Sequence, residues 1–199
     1  MTATMGLPEP WQTAAAVGLP LHCAAPLALP GRRKVPPQLV AWAALPAVMA
    51  VWLLPEGGTV LFQWMLLSTR LGLDATGRIF LFFTSSLWLL AGVYGCGYLS
   101  ADRRRARFFF FYGLAMSGNF GVILAQEMVG FYAFFALMSF ASYGLVVHAG
   151  EPEALRAGRI YLILVLVGEI ALVSGLAVLA AAAGSLELVD LRGKAIPGG

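Results

Sequence analysis

Six stretches of this 199-residue chain approach membrane-spanning length with almost no charge, and that pattern restricts the fold more than any other feature. A helix crossing about 30 Å of hydrocarbon needs about 20 mostly apolar residues. The six runs are Trp11–Leu29, Leu39–Leu54, Ile79–Leu99, Phe108–Ala125, Met128–Val147 and Ile160–Ala183. Charged residues make up 12% of the chain, about half the share with which a soluble domain covers its surface. The expected fold is therefore an all-α membrane protein, a bundle of about six transmembrane helices. Pro20 and Pro26 interrupt the first run, and the second is short and contains Pro46. Membrane helices tolerate such prolines where neighbours satisfy the freed carbonyls.

The connections set the expected topology. GRRKVPP (31–37) has three basic residues, and SADRRRARF (100–108) has four arginines and one aspartate. Alternating helices put these loops on one side, which the excess of Lys and Arg makes cytoplasmic. HAGEPEALRAGR (148–159) falls on that side as well, with two glutamates against two arginines. The N-terminus, residues 55–77, the short Gln126–Glu127 connection and the C-terminal tail take the other side, where Trp11, Trp52 and Trp64 gather as an aromatic belt. The expectation is an N-out, C-out protein of the inner (cytoplasmic) membrane. The opening MTATMGLPEPWQ carries Glu9 and no basic residue, a poor secretory signal. TVLFQWMLLSTRLGLDATG, between the second and third runs, reads as an interfacial segment or an irregular strand-like cover. Three divisions follow: residues 1–78 as two helices with an interfacial connector, 79–184 as a four-helix module, and 185–199 as a tail.

Several kinds of chemistry lack their residues. Cys23 and Cys96 lie inside apolar runs and form no CxxC, so they read as core thiols. His22 falls within the first run and His148 at the end of the fifth, whereas a haem held between helices needs His pairs at matching depth. No cofactor and no metal are expected. The net charge of +3 comes from short clusters between apolar runs, which signals topology rather than a nucleic-acid partner. Nucleotide-binding glycine loops and HExxH are absent from the sequence, and no catalytic chemistry of its own is expected.

The polar residues left inside the runs are the functional candidates. RIYLILVLVGEIALVSGLAVLAAAAG (159–184) holds one acid, Glu169, nine residues beyond Ile160. At 1.5 Å per residue that is about 13 Å along the helix, near the bilayer midplane. An acid there costs about 2.5–3.5 kcal/mol on insertion scales. Its neighbours one turn away, Val165, Leu166, Leu172 and Val173, offset none of it. The offset must come from another helix, from water or from protonation, and a carboxyl that can be protonated can relay protons. The bland alternative is a neutral Glu bonded between helices for packing. Glu127, at the outer end of the fourth and fifth runs, is either a solvated hairpin tip or a second relay group. In the fifth run Tyr132, Ala136, Ser139 and Tyr143 share a helical face, suited to close packing or to lining a hydrated path. Asn119, in SGNFG (117–121), is an amide at mid-depth whose default is a hydrogen bond to a neighbouring helix. Trp88, beside Thr84, Ser85 and Ser86, reads as core or as a cavity wall.

Together, TRLGLDATGRIFLFFTSSLWLLAGVYGCGYL, LAQEMVGFYAFFALMSFASYGLVV and EPEALRAGRIYLILVLVGEIAL resemble the antiporter-type membrane subunits of respiratory complex I, Mrp cation/proton antiporters and membrane-bound hydrogenases. The likeness covers about Arg70 to Val189. It implies a membrane subunit of a proton- or cation-translocating complex, here the N-terminal part only, completed by other membrane subunits and embedded in lipid. By the same resemblance Glu127 matches an early acid of the fifth helix. Phe131, Tyr132, Phe134, Leu137, Met138, Ser139, Ser142 and Tyr143 match the pattern that follows, and Gly168–Glu169 match a Gly–acid pair of the sixth. Glu169 and Glu127 are then the expected proton-relay groups, with Ser139, Tyr143, Tyr132 and Asn119 lining or bracing the path. Two positions depart from the pattern. Ala136 stands where the family carries its key carboxylate, and the chain stops before the helix that carries the family's buried Lys. Either a fragment or a short subunit completed by another chain fits both departures. A non-conducting scaffold subunit is the alternative favoured by Ala136, and a quinone- or haem-linked redox subunit is a third.

Overall fold

The computed structural model describes residues 17–19, 22–25, 36, 38–53, 59–64 and 67–188. They form α1 (Gln38–Trp42), α2 (Leu45–Leu53), β1 (Thr59–Trp64), β2 (Leu67–Gly72), α3 (Ala75–Tyr98), α4 (Arg105–Leu124), α5 (Met128–Val146) and α6 (Pro152–Ala183). The protein is mostly helical, and α3 to α6 are each long and apolar enough to cross a membrane. Of the first apolar run, residues 17–19 and 22–25 are helical and the rest lies outside the described residues. The second run forms a short apolar helix, Gln38–Trp52, with a turn at Ala43–Ala44 that divides it into α1 and α2. The basic loop 31–37, apart from Pro36, and the tail beyond Leu188 also lie outside the described residues.

Helix ends follow local chemistry. Asp74 caps α3 by accepting from the Gly77 amide at 2.6 Å, which satisfies one of the four orphan donors of a first turn. Pro152 occupies the first turn of α6, where its missing N–H costs nothing, and Gly184 ends the helix in the left-handed region at φ 66°. The connector before α3 forms an antiparallel hairpin with Thr59 opposite Gly72 and Trp64 opposite Leu67. That is the strand-like form of the connector.

α4 lies at the centre, with Phe109, Tyr112, Ala115, Met116, Ser117, Phe120 and Leu124 buried. α1 and α2 pack on α3, α3 and α5 pack on α4, and α6 packs on α5. The α4–α5 contact is backbone to backbone. A Cβ at Gly118 would lie 2.6 Å from the Met138 amide nitrogen and 2.8 Å from the Phe134 carbonyl oxygen. Gly121 receives the Phe134 ring, and Gly144 receives Phe111. Small residues admit such close approach, and dispersion along it holds membrane helices together where no hydrophobic drive exists. Trp88 of α3 donates to Asn119 of α4 at 3.3 Å, and Asn119 donates to the Met138 sulfur of α5 at 3.2 Å, so one amide spans three helices.

Two ends of the bundle are distinct. At one, the α3–α4 and α5–α6 loops meet: Asp102 bonds His148 Nε2 at 2.9 Å, and Arg104 donates to the Ala149 carbonyl at 3.1 Å. At the other, the extended link 125–127 lies between two strand-like neighbours. Leu71 pairs with Ala125 on one side, and Glu127 pairs with Glu187 on the other.

Candidate functional site

The seam between α5 and α6 carries the buried acid. Along α6 the residues that are not exposed recur as Gly158, Tyr161, Val165, Glu169, Leu172, Leu176 and Ala180, a single stripe at helical spacing. Everything else on this helix from Ile160 onward, except Leu162 and Ala183, is exposed apolar or small surface. Glu169 therefore lies on the packed stripe, 4% exposed. Neither carboxylate oxygen has a hydrogen-bond partner among the described residues. Gly168, its neighbour in sequence, faces open space.

The opposing face of α5 is the one on which Tyr132, Ala136, Ser139 and Tyr143 align. Two contacts fix its register on α6. The Tyr161 hydroxyl donates to the Ser139 carbonyl at 3.1 Å. A Cβ on Gly158 would meet Val147 at 2.3 Å and the Tyr143 ring at 3.1 Å. Glu169 is eight residues beyond Tyr161, about 12 Å further along the antiparallel seam. That places it level with the first turns of α5, around Phe131–Ala136. Ser139 is buried, and Tyr132, Ala136 and Tyr143 are half-buried. Glu169 and, on the α5 side, Tyr132, Ala136, Ser139 and Tyr143 thus lie along one seam.

Asn119 and Glu127 lie elsewhere. Asn119 is on the far side of α5, in the Trp88–Asn119–Met138 bridge. Glu127 is the residue before α5, half-buried and accepting from Thr69 Oγ1 at 2.6 Å. It stands in a short extended layer in which Gln126 N donates to the Arg70 carbonyl, Leu188 N to the Gln126 carbonyl and Met128 N to the Leu186 carbonyl. Arg70 pairs with Glu187 at 3.0 Å beside it. This end of α5 is a braced junction rather than a loose tip. Trp88, with its ring edge-on to Tyr112 at 4.8 Å, belongs to the core. His148 sits against Phe108 and bonds Asp102, a pairing between loops 46 residues apart that no local pattern announces. The Asp102 carboxyl is held below the usual carboxylate range by the Arg104 amide and then by His148.

Known proteins are similar to this chain in sequence and fold. Residues 125–195 match the family described as NADH:quinone oxidoreductase/Mrp antiporter, transmembrane. Across 126 residues, 62% of this chain and 25% of the relative, the sequence is 30% identical to a Na(+)/H(+) antiporter subunit of Bacillus subtilis (strain 168). Across 149 residues, 69% of this chain and 19% of the relative, it is 28% identical to a Na(+)/H(+) antiporter subunit of Staphylococcus aureus. Over these stretches the chain is similar to antiporter-like membrane subunits. A chain in the structure of the membrane-bound sulfane sulfur reductase, an archaeal respiratory membrane complex, has the same fold with a TM-score of 0.70 and 16% identity, covering 90% of this chain and 39% of that one. This antiporter-like chain spans about a quarter or less of the length of the curated relatives named. The matched segment includes the whole α5–α6 seam, so the seam is the part of the antiporter-like fold that the family pattern describes.

Proposed function

We propose that this antiporter-like chain is a multi-pass subunit, short or partial, of a proton- or cation-translocating complex, and that Glu169 is its proton-relay group. One observation carries the reading: a carboxyl near the middle of a spanning helix is buried in the α5–α6 seam with neither oxygen engaged. An ionised carboxylate left so would cost several kcal/mol. Such a group is expensive to keep for packing alone, because Leu would fill the seam without the polar cost. Tyr132, Ser139 and Tyr143 line the seam on the α5 side. Glu127, held by Thr69 beside the Arg70–Glu187 pair, is the uptake or release group at the outer end, and Asn119 braces α3, α4 and α5. About six helices cross the inner membrane with both termini outside and the arginine-rich loop 100–108 in the cytoplasm, as the distribution of basic residues supports. Other membrane subunits complete the path.

Ala136 favours a second reading, a non-conducting scaffold subunit, because it removes a titratable position from the same seam. Glu169→Gln in the reconstituted complex separates the two. The relay reading expects proton flux to fall on the order of a hundredfold with assembly intact. Unchanged flux in an assembled complex leaves the scaffold reading standing.

A further inference from the structure

A second feature, independent of the seam, lies at the opposite end of the bundle. Arg103, Arg105 and Arg107 crowd the start of α4, where Arg103 and Arg107 are exposed and Arg105 is half-exposed. No side chain of the three makes a hydrogen bond or an ion pair among the described residues. The acid between them and α3, Asp102, is turned toward His148 and accepts from the Arg104 amide at 2.6 Å. Arg104 itself is committed to the Ala149 carbonyl. Asp102 is thus engaged within the loop, and the three guanidiniums are left without a partner among the described residues.

The depth of this cluster is marked by two tyrosines on the last turns of α3. Tyr94 and Tyr98 stack at 5.8 Å with ring planes 17° apart, and they are 71% and 75% exposed. Exposed tyrosines at the end of a spanning helix mark the headgroup level of a bilayer. Arg103 follows Tyr98 by five residues, so the free guanidiniums stand at phosphate height. Glu151 and Glu153 on the same side pair with none of them.

We propose that Arg103, Arg105 and Arg107 bind the phosphates of anionic phospholipid headgroups. A topology signal alone requires positive charge on this side but no retained lipid. Native mass spectrometry of the purified full chain, in detergent titrated with phosphatidylglycerol or phosphatidylcholine, distinguishes the two. The site retains phosphatidylglycerol over phosphatidylcholine. The triple variant Arg103→Gln, Arg105→Gln, Arg107→Gln binds it about fivefold more weakly for each arginine removed, and the triple Lys variant keeps most of the preference. Equal retention of the two lipids by the unaltered chain, or undiminished retention by the Gln variant, overturns the proposal. Inorganic phosphate that displaces the lipid at equal concentration also overturns it, in favour of a soluble-anion site. If the Gln variant fails to insert, the unaltered chain decides, because retention must fall as salt rises and salt-insensitive retention is the negative result.

Discussion

The hydroxyl of Tyr161 on α6 donates to the backbone carbonyl of Ser139 on α5 at 3.1 Å, and two turns further along the same stripe Glu169 is buried without a partner. One position of the seam is satisfied and the next polar position is not. The difference is local, because Tyr161 reaches a carbonyl and neither Glu169 oxygen reaches a partner among the described residues. Glu169→Leu should therefore stabilise the isolated protein by about 1–3 kcal/mol, the cost of an unsatisfied buried polar group, while removing relay function. Thermal unfolding in detergent reads the first effect. A lowered midpoint would mean that the carboxyl contributes to packing and would count against the relay.

Gly118→Ala should be among the most damaging single-methyl changes in the bundle. The added carbon would meet backbone atoms of Met138 and Phe134 at 2.6 and 2.8 Å, and neither can rotate away as a side-chain end could. Over-packing of this kind costs about 1–3 kcal/mol. Gly168→Ala, where a Cβ meets nothing within 4 Å, is the control and should change the midpoint little. Equal effects of the two substitutions would refute the close α4–α5 approach.

Asp102→Asn should change the pH dependence of stability only in acid. The folded carboxyl is held below its ordinary value by the Arg104 amide and by His148. Its contribution is therefore fully present above the ordinary carboxyl range and is lost as pH falls through the lowered folded value. The difference in unfolding midpoint between the unaltered chain and the Asn variant should be constant from neutral pH down to that range and then shrink. A difference that grew on acidification would reverse the sign of the linkage.

The long helices were legible because the bilayer imposes one rule, a run of apolar residues of sufficient length. The expected Met128–Val147 coincides with α5 to within one residue, and Phe108–Ala125 is offset from α4 by a turn. α6 begins eight residues before its apolar run, at Pro152 rather than Ile160. Hydropathy stops where charge starts, whereas helical hydrogen bonding continues through EALRAGR into water. The turn at Ala43–Ala44 within the second run was not legible, because the residues on both sides of it are equally apolar. The shared face of Tyr132, Ala136, Ser139 and Tyr143 was readable from spacing alone. Its opposition to Glu169 was not, since register between two helices depends on contacts such as Val147 with Gly158. The Thr69–Glu127, Asp102–His148 and Arg70–Glu187 pairs were equally silent. Each joins residues 46 or more positions apart, and a single sequence holds no trace of such pairings.

α4 and α5, meeting at Gly118 with nothing between their main chains, behave mechanically as one beam. α6 has no comparable weld among the described residues: its ties are the packing of Gly158 on Val147 and Tyr143, a tyrosine hydroxyl in its N-terminal third and a short ladder of amides past its C-terminal end. A strut so fastened can roll about its own axis more cheaply than its neighbours can. Such a roll would carry residue 169 from the dry side of the joint toward its rim.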